Sequence, residues 1–449
     1  MNQNFQENHK KTIGGRLEKI ELYSTVFGCM RKLYLYLPPG YKNSCKQRYP
    51  VLYMHHGQHL FEPKKPDSQS WRVHETIEEL LDANLIHEII VVGIAASAAT
   101  VASDYWHYAP LYKYQQLTGY LYESFIVQEV KPFIDENYRT LSDRSHTTMI
   151  GACSGATVSY NIAERHPHIF AKVGMLSPAV RSFDTNTWLY SCSMKKPQFE
   201  QLWLDVGDEE GVYTHLVREW VDRLIDQGWV PNDNFFYYLE PHGAHHQIYW
   251  SKRLKNALLL FFGDKGQPVS VKLRGEKILG TGSKPLTVNP VVEYDTGFQC
   301  TDFNGNYHIE QEQMITMKPR NRMIGLSPGV TKVSFSSHGL ETSDSYTVVS
   351  TLPDQVQVHL RAHVPESTPQ VDQIYFGTLE LQHTQGNIYE SKYNLPWDFT
   401  LADVFSCGMD NFERQSDGSH MPLRLLQARE DMDIEYRIER WSNCVRSSN

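Results

Sequence analysis

The sequence predicts an α/β fold over residues 1–265, a mostly parallel sheet covered by helices, followed by two small all-β sandwich modules at 268–350 and 354–449. Three observations lead there. Strand-like and helix-like segments alternate through the first 265 residues. One of those strands, Ile89-Ile-Val-Val-Gly93, is a continuous β-branched run suited to burial on both faces. Beyond Gly263-Asp-Lys-Gly-Gln-Pro268 the pattern changes to short β-rich segments split by Gly, Pro, Asn and Asp, with no helical stripe of similar strength. A chain of 449 residues is in any case too long for one ordinary domain.

The elements follow in order. Lys32 to Leu37 alternates with period two, a half-buried strand. Pro50 to Met54 is a short apolar strand ending in a His-His-Gly loop, and Trp71 to Leu81 has helical spacing. After the strand at 89–93, Leu121, Phe125, Ile126, Val130, Phe133 and Ile134 form one apolar helical stripe. Thr147 to Ile150 is a strand that enters Gly151-Ala-Cys-Ser-Gly155, and a helix continues to about Arg165. Leu202–Val206, Tyr213–Leu224 and Phe235–Leu239 repeat strand, helix and strand. A last helix spans Gln247 to Phe262. Pro353 marks a second junction, between the two β modules.

Composition removes several function classes. Hydrophobic residues make up 41%, enough for a packed core, and the formal net charge is -9. That balance carries no footprint for nucleic acid or an anionic membrane surface. No apolar run approaches the roughly 18–20 residues that span a bilayer. The N-terminus, MNQNFQENHKKTIGG, is polar, and no secretory signal is read there. Seven cysteines, at 29, 45, 153, 192, 300, 407 and 444, form no CxxC pair, and all but Cys153 read as reduced thiols of a cytoplasmic protein. The adjacent pairs His55–His56 and His245–His246 raise the question of zinc, but no HExxH accompanies them. The expectation is no metal and no cofactor.

The strongest chemical signal is Gly151-Ala152-Cys153-Ser154-Gly155, set between a strand and a helix, which is the context of a nucleophile elbow. The glycines allow a tight turn that a Cβ would obstruct. The turn exposes Cys153, and the following helix points its N-terminus at the thiol, which favours the thiolate. The bland alternative is a buried structural cysteine in a glycine turn. A nucleophile needs a base, and the base an orienting carboxylate, in the chain order nucleophile, acid, histidine. Gly207-Asp208-Glu209-Glu210 and Pro241-His242-Gly243-Ala244-His245-His246 both follow strands at their carboxyl ends, where open sheets build sites. Cys153, Glu210 and His245 stand in that order and give the α/β-hydrolase fold class. From position alone, Asp208 and Glu209 compete with Glu210, and His242 and His246 with His245.

Residues 28–263 resemble the esterase family that includes enterochelin esterase, feruloyl esterases and S-formylglutathione hydrolase. The matching stretches are Tyr49 to Phe61, Trp71-Arg-Val-His-Glu-Thr76, Val91-Val-Gly-Ile94, the elbow, His166-Pro-His-Ile-Phe170, Met175-Leu-Ser-Pro178, Asp205-Val-Gly207 with Glu210, and Gly243-Ala-His245 with Trp250. The family's Gly-x-x-acid and Gly-x-His…Trp spacings select Glu210 and His245. The resemblance implies a carboxylic-ester hydrolase acting on a small-molecule ester, an acylated sugar or siderophore-like ester. Cys153 would attack, His245 would move the proton, and Glu210 would hold the imidazole. The backbone N–H of Ser154 and one from the Gly57–Gln58 loop would cradle the oxyanion, each such donor supplying about 3 kcal/mol.

This chain departs from the family pattern. It carries Cys153 where the family has serine, Ala156 where it has glycine, and His-His-Gly-Gln-His where it has His-Asp-Gly-Gln-Asn. The arginine often found ahead of the Tyr-x-Pro stretch is missing from Ser103 to Pro110. Two alternatives stand beside the hydrolase: a decayed relative serving as a carbohydrate-binding or scaffolding protein, and a thioesterase or acyltransferase. Residues 268–350 resemble a bacterial Ig-like repeat. Residues 354–449 resemble a starch-binding module, which implies carbohydrate as a partner; there Trp397 and Trp441 are either stacking platforms or, the favoured reading, core.

Overall fold

The computed structural model describes residues 14–62, 70–96, 104–113, 115–183, 185–191, 193, 195–371, 373–408 and 411–443. The chain forms two compact bodies. One runs to Trp203 and takes in Trp250–Gly266 and Thr296–Phe298; the other takes Leu204–Tyr249, Gln267–Asp295 and the chain from Gln299 onward.

The first body is built on β1 (Arg16–Ser24), β2 (Cys29–Leu37), β3 (Val51–His55), α1 (Val73–Asp82), β4 (Ile90–Ile94), α2 (Gly119–Phe125), α3 (Lys131–Asn137), β5 (Thr147–Ala152), α4 (Ser154–Arg165), β6 (Lys172–Leu176) and the start of β7 (Gln201–Gly207). Its strands lie in the order β1-β2-β4-β3-β5-β6-β7. β1 pairs antiparallel with β2, and β2 antiparallel with β4. β3 lies parallel to β4 and β5, and β5 parallel to β6. Every residue of β3, β4 and β5 is buried. Their near-continuous apolar sequence follows from that, since a parallel strand with helices on both faces has no solvent side. Each fully buried Val, Leu or Ile contributes about 1.5–3 kcal/mol.

The second body carries the end of β7, then α5 (Val212–Asp226) and β8 (Phe235–Glu240), with β7 and β8 neighbours. α6 spans Gln247–Phe262. Beyond Pro268 the described residues hold strands without helices. Those of 268–349 form sheets of four, three and three strands; those of 355–441 form one sheet of six and two pairs. The last region has its own core, including Val358, Leu360, Phe376, Phe405 and Trp441.

The alternation of elements is as the sequence predicts, and the differences are local. α1 starts at Val73 rather than Trp71, because Arg72 takes a left-handed φ of 50° that no helix can include. The stripe from 121 to 134 is one rod interrupted by a π-turn at Ile126–Val130; Pro132, without an N–H, follows where four-residue bonding resumes. β1 and β6 escape the sequence reading. β1 is a charged outer strand with one buried residue, and β6 is five residues long with Gly174 in its middle. Trp441 is 1% exposed and donates its Nε1–H to Thr368 Oγ1 at 2.8 Å. Trp397 is partly buried against the same core, with the Arg429 guanidinium 4.6 Å over its ring. Trp441 is thus part of the core, and Trp397 lies at its margin. No helix among the described residues is long and apolar enough to cross a membrane.

Candidate active site

Cys153 joins β5 to α4 with φ 50° and ψ -122°, far from any conformation an L-residue prefers. Such a residue costs about 1–3 kcal/mol and persists only where its surroundings over-determine it. Here they do. The Cys153 N–H donates to Leu176 O at 3.0 Å, and its carbonyl accepts from the N–H of Ala156, Thr157 and Ala179. Thr157 Oγ1 donates to Ala179 O at 2.6 Å, tying α4 to the loop after β6. A Cβ on Gly151 would stand 2.3 Å from the carbonyl carbon and oxygen of Gly155, so the turn closes only because position 151 is glycine. The thiol is half-buried. It sits at the N-terminus of the twelve-residue α4, whose aligned peptide dipoles stabilise a thiolate. Burial first, and then the neighbouring Cys153, hold the Tyr190 hydroxyl well above its ordinary pKa.

The predicted oxyanion residues lie in the same body. Ser154 is the first residue of α4, whose N–H no intrahelical carbonyl can accept. Gly57 and Gln58 form a short 3₁₀ turn directly after β3, entered through His56 at a left-handed φ of 54°. The His55–His56 loop packs on the elbow: a Cβ on Gly155 would lie 3.3 Å from His55 Cβ and 3.5 Å from His56 Cδ2. Gly57 is packed backbone to backbone, a Cβ there falling 2.5 Å from the carbonyl of Gly93. The Gln58 side chain accepts from the Ala96 N–H at 3.1 Å, so it braces the loop after β4. Burial, with His56 adding to it, lowers the pKa of His55 to about 3; burial and then His59 lower that of His56 to about 4. Both rings are neutral at physiological pH. His55 Nδ1 meets Tyr122 Oη at 2.9 Å.

In the second body the candidate acids and histidines fall into separate pairs. Glu210 is fully buried. Its Oε1 accepts from the Gly207 N–H at 2.7 Å, and its Oε2 lies 2.8 Å from His245 Nδ1. A carboxylate at Nδ1 holds the proton there and leaves Nε2 as the basic nitrogen. Asp208 and Glu209 turn to a different histidine: Asp208 Oδ1 accepts from the His242 N–H at 2.6 Å, and Glu209 Oε1 lies 2.9 Å from His242 Nδ1. The His242 ring is 88% exposed against 16% for His245. Burial, then His245 and His420, lower the His246 pKa to about 4. The acid and histidine loops approach backbone to backbone, since a Cβ on Gly207 would stand 2.1 Å from Gly243 O.

The sequence reading missed Tyr213. Its ring stacks on His245 with centroids 4.0 Å apart and planes inclined by 16°. The signal was available, because Tyr213 follows Glu210 by three residues at the start of α5, one turn from the acid. Among the described residues, Asp208, Glu209 and His242 could hold a metal ion, their ligand atoms lying within 4.8 Å of one another.

Comparison with known proteins gives the family. The family model described as "Putative esterase" matches residues 24–261, just over half of the chain. The uncharacterized protein YbbA of Bacillus subtilis is 24% identical over 245 residues, covering 52% of this chain and 93% of that protein. An endo-1,4-beta-xylanase/feruloyl esterase of Xylanibacter ruminicola is 28% identical over 178 residues, 39% of this chain and 23% of that protein's length. Among solved structures, a ferulic acid esterase from Anaeromyces mucronatus in complex with ferulic acid superposes with a TM-score of 0.44 at 21% identity, over 57% of this chain and 94% of that one.

Proposed function

The chain belongs to the esterase family, as an esterase-type hydrolase acting on ester bonds, and from that premise we propose that it works through a Cys153–His245–Glu210 triad. The observation that carries this reading is the strained conformation of Cys153, φ 50° and ψ -122°, held by hydrogen bonds on both sides of the turn. Support also comes from the Glu210–His245 bond, which holds the Nδ1 proton and so directs the base chemistry to Nε2.

The chemistry runs in two halves. Cys153 Sγ attacks the ester carbonyl carbon as its proton passes to His245 Nε2. The negative oxygen is received by the Ser154 N–H and an N–H of the Gly57–Gln58 turn. The carbon–oxygen bond then breaks, the imidazolium returns its proton to the leaving alcohol, and a thioester remains on Cys153. Water attacks that thioester while giving a proton to His245. The acid departs, and the thiol is restored with the proton from the imidazolium. Glu210 keeps the Nδ1 proton in place and stabilises the imidazolium in both halves.

The substrate is a small-molecule ester, an acylated sugar or a siderophore-like ester. The feruloyl esterase relative supports an ester carried on carbohydrate. Hydrolysis of p-nitrophenyl acetate by the full chain, lost in Cys153→Ala, is the test. Turnover retained in that variant ends the mechanism.

A further inference from the structure

The strand Thr400–Asp403, far along the chain from the hydrolase sequence, binds the acid loop. On one side it pairs antiparallel with Arg424–Gln427. On the other, the Gly211 N–H donates to Thr400 O and the Ala402 N–H to Glu209 O, both at 2.8 Å, with Glu210 and Leu401 opposite one another in an antiparallel bridge. Glycine at 211 permits this approach. It has φ 60°, and a Cβ there would stand 2.8 Å from Phe399 Cζ and 3.2 Å from Leu401 Cδ1. The residues on either side of Glu210 are therefore fixed by backbone bonds to the C-terminal β region.

The strand ends in a carboxyl group. Asp403 Oδ1 accepts from the Val404 N–H at 2.8 Å, and Oδ2 lies against Gly377, where a Cβ would fall 2.8 Å from it. Arg424 stands opposite Asp403 in the strand register, but it is committed elsewhere. Its Nε and Nη2 donate to Glu413 at 3.0 and 2.6 Å, and Nη2 also reaches Arg437 O. The charged groups that act on Asp403 are His245 and Glu210, and burial, the largest influence, raises its pKa to about 6. No carboxylate at this position was visible to the sequence reading, which placed these residues in a separate binding module.

We propose that this strand is a working part of the active site: its backbone clamps the loop bearing Glu210, and Asp403 is a positioning residue whose negative charge tunes the Glu210–His245 pair. The inference rests on the triad reading of Cys153, His245 and Glu210. It makes the C-terminal region necessary for turnover of any ester, including one without a sugar. A purely sugar-binding module would leave such an ester unaffected.

The test is the pH profile of kcat/KM for p-nitrophenyl acetate in full-length Asp403→Asn. Removing a negative charge lowers the pKa of every neighbouring ionisable group, so the profile moves to lower pH whether the resting thiol and imidazole are neutral or an ion pair. A shift of about half a unit or more is expected. Asp403→Glu restores the charge and returns the profile toward wild type. Asp403→Ser serves as the second charge-removing variant should the asparagine variant not fold. Ala402→Pro, which deletes the N–H to Glu209, is expected to lower kcat at least tenfold with KM little changed. Wild-type profiles in the folded charge-removing variants overturn the role of Asp403, and unchanged kcat in Ala402→Pro overturns the clamp. The same assay on His245→Ala separates the two failures. Loss of turnover there upholds the triad whatever the Asp403 variants do, and retained turnover sinks the triad reading itself.

Discussion

At Cys153 the geometry is stored in the backbone: a forbidden φ, two glycines that admit it, and main-chain bonds to the loop after β6. At Glu210 it is stored in side chains: a buried carboxylate spans the Gly207 N–H and His245 Nδ1, and an aromatic ring stacks on the imidazole. The difference follows from the work asked of each. A nucleophile must be presented at a fixed point, and backbone strain does that without depending on a rotamer. A base must take up and release a proton at one nitrogen while its acid holds the other, which requires directed hydrogen bonds and a dry surrounding. The elbow should therefore fail through changes at glycine, and the acid–histidine pair through changes of charge or ring.

The largest expected effect is on the thiol. Cys153→Ala should lower kcat/KM for p-nitrophenyl acetate by about 10³-fold or more, the residual rate coming from the oxyanion donors alone. Next is the acid. Glu210→Gln keeps the shape but removes the charge that fixes the Nδ1 proton, and kcat should fall about 10²- to 10⁴-fold with KM little changed, measured by steady-state kinetics. Backbone crowding comes third. Gly151→Ala and Gly207→Ala each force a Cβ into a carbonyl group, and thermal unfolding should show a loss of about 1–3 kcal/mol or more in each. If Gly151→Ala folds and turns over normally, the elbow is not strained as described. Tyr213→Ala should cost about tenfold in kcat, since stacked aromatic contacts are worth about 0.5–1.5 kcal/mol; Tyr213→Phe should recover most of it.

The smallest effect concerns pH. Burial holds the pKa of His55 and His56 at about 3 and 4, below the unfolded value of about 6.5. The unfolded chain then binds more protons than the folded one in that window, so stability is full above about pH 6.5 and is lost as pH falls toward 4. His56→Gln should flatten the fall in melting temperature between pH 6.5 and 4 while leaving the activity profile between pH 6 and 8 in place. A moved activity profile would assign titration to the elbow side rather than to the acid–histidine side.

Much of this was legible in the sequence, for physical reasons. β3, β4 and β5 announce themselves because burial on both faces demands unbroken apolar runs. The elbow was legible because a turn that tight tolerates glycine almost alone. β1, by contrast, is a charged edge strand whose single buried residue gives no pattern to read. The pairing of Glu210 rather than Asp208 with His245 depended on family spacing. The structure supplies the physical reason, since Asp208 and Glu209 face His242. Tyr213 and Asp403 were hidden differently. Stacking leaves no compositional trace, and the Asp403 strand meets the acid loop across nearly two hundred residues of chain.

The claim on which the rest turns is that the sulfur of Cys153 carries the acyl group during turnover. Intact-protein mass spectrometry after rapid quenching from p-nitrophenyl acetate, followed by peptide mapping, tests it directly. One acetyl group on the peptide holding Cys153, released by hydroxylamine at neutral pH as a thioester is, and absent from Cys153→Ala, is the predicted result. Steady turnover with acetyl found on another residue, or with Cys153 unmodified under conditions that trap a thioester, would contradict it.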